Sequence, residues 1–239
     1  MNYTANDNLE IMKFAKHYNQ FLVNSISSVI RKNNGKDILD FGCADGYFMQ
    51  RVCDANPCLN MFGIEVDATS LEKCKQKNLQ VSSDLKELNK QFDVIYSLNT
   101  LEHIQNDREM LKLIYDKLSN TGRLYLYVPA LMFLFSSMDK KVGHYRRYIQ
   151  KELRNKLTAC GFEIEQIEYC DVLGVLATCL YILKDKLGKN NQGNLHKTGV
   201  ILYDHIFPLS RLLDKLLFKH LMGKNLFVIA HKIPNQSHA

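Results

Sequence analysis

An open α/β sheet, with parallel strands covered by helices on both faces, is the fold class this sequence predicts, and three observations predict it. Short apolar runs alternate with helical stretches four times between residues 37 and 118, the pattern of successive βαβ units. The first of those runs leads into a glycine-bearing loop within DFGCADGYF (40–48), where an open sheet of this kind places its ligands. At 239 residues, 46% apolar and 23% charged, the chain has ordinary globular composition and a length that suits one α/β domain.

Taken in order, Ile11, Phe14, Ala15, Tyr18, Phe21, Leu22, Ile26, Val29 and Ile30 recur at helical spacing, which predicts one or two amphipathic helices over 8–33. The linker RKNNGK (31–36) then leads into a strand, DILDF (37–41), the glycine loop and a helix to about Ala55. The pattern repeats as strand 60–65 with helix 70–77, strand 79–82 with a turn or helix at 85–90, and strand 92–97 with helix 108–118. In NTGRLYLYVP (120–129) a turn precedes a fifth strand, 123–128, which Pro129 stops. Helix 150–160 is broken by Gly161. Strands 162–170 and 225–231 bracket an insertion, 171–224, with apolar helical segments and a polar linker, GKNNQGNLHKTG (188–199). The expected organisation is a single domain over 1–239: N-terminal helices 8–33, core 37–170, helical lid or insertion 171–224 and last strand 225–232.

Composition excludes several classes. The seven cysteines are odd in number, form no CxxC pair and are scattered from Cys43 to Cys179, so neither a disulfide framework nor a zinc cluster is suggested and no metal is expected. They read as reduced thiols, mostly core filler. The opening MNYTANDNLEIMKF lacks the apolar stretch of a secretory signal. The longest apolar runs are about a dozen residues, against roughly 20 for a membrane span. A cytoplasmic protein is expected. The net charge of +6 is spread without a basic block, and no aromatic stacking motif accompanies it, so no nucleic-acid partner is expected.

Gly42 and Gly46 allow backbone angles and a close ligand approach that a side chain would block, and the helix behind them offers free amides to an anion. Counted from Gly42, however, Ala44 and Tyr47 occupy the third and sixth places of GxGxxG, which weighs against a dinucleotide. A tight turn needing small residues for structural reasons is the bland alternative. Two carboxylates at strand ends favour a ligand. Glu65 in FGIEVD can accept from both hydroxyls of a ribose, and Asp84 after the third strand can meet an exocyclic amine of adenine.

The run Asp40, Gly42, Ala44, Gly46 resembles motif I of class I S-adenosylmethionine-dependent methyltransferases, (D/E)xGxGxG, with Ala44 for the central glycine. FDVIYSLNTLEHI (92–104) resembles motif IV with its LEH segment, and TGRLYLYVPA (121–130) the fifth-strand motif. MDKKVGHYRRY (138–148), KELRNKLTACGFEIEQIEY and GKNLFVIAHK resemble a bacterial subgroup often associated with glycosyltransferases of cell-surface glycan pathways. The resemblance, over 18–232, implies a Rossmann-like fold: a seven-stranded, mostly parallel sheet in order 3-2-1-4-5-7-6 with the last strand antiparallel. It implies S-adenosylmethionine as methyl donor, with S-adenosylhomocysteine as product. Asp40, Gly42 and Gly46 would lie near the methionine part, Glu65 on the ribose, Asp84 and Leu85 around the adenine, and Asn99 with Leu101 beneath the sulfonium. Tyr18 and Asn19 would lie on the helix covering the donor.

Methyl transfer to a hydroxyl or amine also needs a proton removed. His144, with an ordinary pKa of about 6.5, suits that duty, and Tyr145 stands beside it. Arg146, Arg147 and Tyr148 are expected to bind a negatively charged acceptor. The alternative is that these arginines pair with the protein's own carboxylates or cap the helix near Gln150. His103 reads as a structural histidine under the sheet edge. The apolar stripes of 171–224 read as a lid or a dimer surface, with peripheral membrane contact as the other reading. The leading acceptor is a small molecule, sugar or lipid-linked glycan. A quinone-like lipid, natural product or peptide is the runner-up, and a non-catalytic partner protein that keeps the fold is the alternative of another class.

Overall fold

The computed structural model describes residues 6–188 and 195–232; residues 189–194 of the expected polar linker lie outside them. In chain order the elements are α1 (Asn6–Met12), α2 (Lys16–Asn33), β1 (Asp37–Phe41), α3 (Tyr47–Ala55), β2 (Asn60–Ile64), α4 (Ala68–Gln76), β3 (Val81–Ser82), β4 (Phe92–Leu98), α5 (Asp107–Lys117), β5 (Leu118–Pro129), α6 (Ser137–Val142), α7 (Gln150–Ala159), β6 (Phe162–Cys170), α8 (Val172–Lys186), α9 (Lys197–Leu213) and β7 (Asn225–Lys232). Short 3-10 turns at Leu85–Glu87, Leu101–His103 and Met132–Leu134 sit at strand exits.

The strands form one seven-stranded sheet in the order β3-β2-β1-β4-β5-β7-β6. β7 runs antiparallel to both neighbours and the other pairings are parallel. Side chains alternate along each strand, so the sheet feeds two cores. Ile38, Val94, Tyr96 and Tyr125 pack with Leu22, Ile26 and Met49 on the α2 and α3 face. Leu39, Phe41, Ile95, Leu124 and Leu126 pack with Leu111, Ile114, Leu153 and Leu157 on the α5 and α7 face.

α2 runs to Asn33, where the expected helical span 8–33 ends, because Asn34 adopts a left-handed φ of 50° and closes the helix there. Two departures from the sequence reading have physical causes. β5 begins at Leu118 and not after a turn, because its pairing with β4 slips register between Phe92 and Val94 and absorbs the NTG segment as an irregularity. α6 was not foreseen. It is a six-residue helix held by a capping box, in which Ser136 and Asp139 satisfy each other's backbone amides.

Within the insertion, α9 crosses α2. Asp204 accepts from the backbone amides of His17 and Tyr18, both at 2.9 Å, and so caps a helix whose own N-cap residue, Ala15, supplies no side-chain bond. Phe207 is buried against Tyr18 and Phe21. The outer faces stay uncovered: Leu176, Leu180 and Leu183 on α8, with Leu202, Leu209 and Leu212 on α9, are all more than half exposed. No described helix is long and apolar enough to cross a membrane.

Candidate active site

β1, β2 and β4 end side by side, and the connections that leave them form one wall of the site. The first connection is tightly wound. Gly42, Ala44 and Gly46 all have positive φ, at 86°, 48° and 77°, and the amides of Gly42 and Cys43 both donate to the Ile64 carbonyl at 2.9 Å. The backbone freedom expected of the two glycines is therefore used. The space beside them is filled by protein, since a Cβ at Gly42 would strike the Thr100 side chain and one at Gly46 would strike Leu79.

Glu65 faces this loop. Its Oε2 accepts from the Ala44 amide and its Oε1 from the Asp67 amide, each at 2.8 Å. Two charge-assisted bonds fix the carboxylate at the rim, within the loop's own turn. Asp45, next in the loop, is gripped by Lys13 at 2.7 Å and by Lys77 at 3.3 Å, which ties the junction between α1 and α2 to the loop. Asp40 lies below the rim. It is buried, hydrogen-bonded to Tyr96, and burial lifts its carboxyl to about 8.

Asn99 leaves β4 with a left-handed φ of 49° and donates its amide to the Tyr127 carbonyl at 2.7 Å. Its side chain is hydrogen-bonded to Tyr18, so α2 reaches the β4 exit. Asn19 is turned instead toward the Met12 carbonyl, at 3.0 Å. Leu101 and Leu85 are buried. Asp84 is exposed and accepts from the Lys86 amide at 2.8 Å, capping the turn after β3.

A second cluster, at the exits of β4 and β5, is made of paired charges. Arg147 presents its fork to Asp139, with Nε at 2.9 Å from Oδ1 and Nη2 at 3.0 Å from Oδ2. Burial would raise the Asp139 carboxyl, but bonds from His144 and Arg147 outweigh it and hold the group well below the usual carboxylate range. Arg146 pairs with Asp107 at 2.7 Å, as does Lys156 at 2.6 Å. Tyr148, fully buried, donates to the same carboxylate at 3.0 Å. Both arginines thus hold the chain's own carboxylates, and the Tyr148 hydroxyl is spent inside the protein. Tyr145 is half-exposed, and its amide donates to the Glu102 carbonyl at 2.9 Å.

His144 lies between two carboxylates. Its Nδ1 is 2.8 Å from Asp139 Oδ1 and its Nε2 is 3.6 Å from Glu102 Oε1. Glu102 is fully buried, burial lifts its carboxyl to about 8, and neither oxygen finds a hydrogen-bond partner among the described residues. His103 stacks edge-on against His144, with ring centroids 4.6 Å apart, and so stands in the site rather than under the sheet edge. Burial and the neighbouring His144 push its imidazole down to about 4. Glu102 and Asp139 were missed by sequence reasoning. The one available signal was the adjacent Glu-His pair directly after a strand end. Glu102, His103 and His144 each offer a ligand atom, and these atoms all lie within 4.8 Å of one another.

Comparison with known proteins places the chain in a family. A family model described as a methyltransferase domain matches residues 14–167. The chain is 25% identical over 175 residues to a ubiquinone biosynthesis O-methyltransferase of Rickettsia bellii, covering 62% of this chain and 70% of that protein. Among solved structures it resembles the plantazolicin methyltransferase BamL in complex with a triazolic desmethylPZN analogue and S-adenosylhomocysteine, at 12% identity and TM-score 0.59, covering 96% and 88% of the two chains. It also resembles the magnesium protoporphyrin IX methyltransferase of Synechocystis with bound S-adenosylhomocysteine, at 14% identity and TM-score 0.54, covering 90% and 84%. At these identities the two structures speak for the fold.

Proposed function

Because the chain belongs to the methyltransferase-domain family, we propose that it moves the methyl group of S-adenosylmethionine to an oxygen nucleophile of a small, apolar or lipid-linked acceptor. The observation that carries the donor half is the carboxylate of Glu65, fixed at the β2 exit against the Ala44 amide of the glycine loop. A carboxylate there suits a ribose diol, because it can accept from two vicinal hydroxyls at once. Gly42 and Gly46 shape the loop for the amino-acid end of the donor, with Asp40 beneath it. Asp84 and Leu85 border the adenine. Asn99 and Leu101, with Tyr18 from α2, floor the region of the sulfur.

The donor supplies a methyl carbon already activated by positive sulfur, so a lone pair of the acceptor forms the new bond while the carbon–sulfur electrons return to sulfur. The protein's part is alignment, exclusion of water and loss of the acceptor's proton. The proton is lost on the wall that carries His144, whose Nδ1 is held by Asp139 so that Nε2 is presented to the site. Tyr145, half-exposed beside it, is the neighbour best placed to touch the acceptor.

An oxygen nucleophile is favoured by the named chemistry of the Rickettsia relative. An apolar or lipid-linked acceptor is favoured by the exposed leucines of α8 and α9 and by exposed Met132 and Phe133 at the β5 exit, a run of apolar surface that a sugar acceptor alone would not call for. Calorimetric titration of the full chain with S-adenosylmethionine tests the reading. Glu65→Ala should weaken binding by about 10- to 100-fold, the loss of charged hydrogen bonds worth roughly 1.5–3 kcal/mol. Binding equal to that of the unaltered chain would overturn the donor assignment.

A further inference from the structure

We propose that Glu102, His103 and His144 bind one divalent transition-metal cation of the Zn2+ type, leaving an open coordination position for the acceptor's hydroxyl oxygen. The inference rests on the methyl-transfer reading and gives its acceptor half a mechanism.

The separations suit coordination. His144 Nε2 and Glu102 Oε1 are 3.6 Å apart, and two ligands on a tetrahedral centre with bonds of about 2.1 Å lie roughly 3.4 Å from each other. The third ligand atom, from His103, lies within 4.8 Å of both, a gap that a small side-chain shift closes.

The Glu102 carboxylate is the second observation. It is fully buried, and neither oxygen has a hydrogen-bond partner among the described residues. A buried carboxyl with no hydrogen-bond partner costs free energy in either protonation state, and coordination of a cation by its ionised form removes that cost. Its nearest charged neighbours are poor substitutes: His144 stands beyond hydrogen-bond reach, and Arg147 already gives two bonds to Asp139.

The surroundings are those of a metal-binding histidine. Asp139 accepts from His144 Nδ1 at 2.8 Å, which selects the tautomer whose Nε2 carries the lone pair, and Arg147 holds Asp139 in turn. A carboxylate behind a ligating imidazole is the usual outer partner of such sites. His103 is hydrogen-bonded to the backbone at Val142 and Gly143, so both rings are oriented by the protein. One oxygen and two nitrogens, with no thiolate, suit Zn2+, Co2+, Mn2+ or Fe2+. Three protein ligands leave a position free, as catalytic zinc sites do. A hydroxyl held in that position loses its proton to water near neutral pH, and the resulting oxygen lone pair then makes the bond to the methyl carbon. His144 thus serves loss of the acceptor's proton through the cation.

The test uses the full chain, stripped with chelator, dialysed and titrated with CoCl2, then with ZnCl2 in competition. One Co2+ per chain, with visible absorption of a four- or five-coordinate ion that Zn2+ abolishes, supports the site. Glu102→Gln and His103→Asn should each weaken Co2+ binding more than tenfold. Asp139→Asn, which removes no ligand, should weaken it about 10- to 100-fold. Thermal melts of each variant followed by circular dichroism establish that it is folded. No stoichiometric binding, or binding unchanged in folded Glu102→Gln and His103→Asn, overturns the proposal. S-adenosylmethionine calorimetry on the same samples separates the two readings: donor binding without a Co2+ site overturns only the metal, and a Co2+ site without donor binding overturns only the donor assignment.

Discussion

The two walls of the site are built by opposite means. The donor wall is largely a backbone construction in which three positive-φ residues in a five-residue loop, with Asn99 on the next exit, are held by main-chain amides bonded to the Ile64 and Tyr127 carbonyls and to the Glu65 carboxylate. The acceptor wall is a side-chain construction, in which Asp139 gathers Ser136, His144 and Arg147 from its own stretch of chain and Asp107 gathers Arg146, Tyr148 and Lys156 from far along the sequence. Backbone constructions tolerate change away from the strained positions. Buried charge networks fail when one member is lost, because the partner left behind has no water to replace it.

Experiments that break this contrast fall in order of size. Arg147→Ala should cost about 3–5 kcal/mol, since it leaves the buried Asp139 carboxylate short of its main counter-ion; a urea-denaturation loss under 1 kcal/mol would mean the network carries no weight. Next is a pH effect within the donor wall. The Asp40 carboxyl is raised to about 8 from 3.8, so its contribution to stability is fully present below the unfolded pKa and is lost as pH rises through the folded one. Unaltered chain should therefore lose stability relative to Asp40→Asn between pH 5 and 8, and urea midpoints that keep a constant difference would refute it. Gly42→Ala combines a left-handed φ with a collision at Thr100 and should cost about 1–3 kcal/mol. A thermal midpoint equal to that of the unaltered chain would show that the loop relaxes freely. Smallest of all, Leu180→Ser and Leu209→Ser on the uncovered faces of α8 and α9 should change stability by no more than about 0.5 kcal/mol. A larger loss for either would show that the face is covered in solution.

The same contrast explains what the sequence disclosed. β1 and β6 fall where alternation and glycine placed them, and the loop with Glu65 was legible because tight turns leave a local trace in glycines and carboxylates at fixed short spacing. The sheet order was carried by resemblance to a family and by no pattern within the chain. The partners of Asp107 left no such trace: Tyr148 and Lys156 lie 41 and 49 positions away, and no spacing rule links them. Arg146 and Arg147 left two readings open, an acceptor's anion or the protein's own carboxylates, and they pair with Asp107 and Asp139. Glu102 sits in a three-residue turn whose LEH segment was read only as a family motif, with Leu101 given to the donor and no role to the carboxylate.

β7 pairs with β5 and β6 together, Arg123 meeting His231 and Cys170 meeting Asn225, and Lys224 accepts the Ala130 amide at 2.8 Å. On the ribosome, residues 225–232 are made after every other strand of the sheet, so β5 and β6 must wait as open edges, available to wrong partners, while the helices between them are synthesised. The loop after β5 cannot settle until that last insertion is made. Vectorial synthesis thus leaves this chain without a finished acceptor wall, and exposed to misassembly, until its sheet is zipped closed.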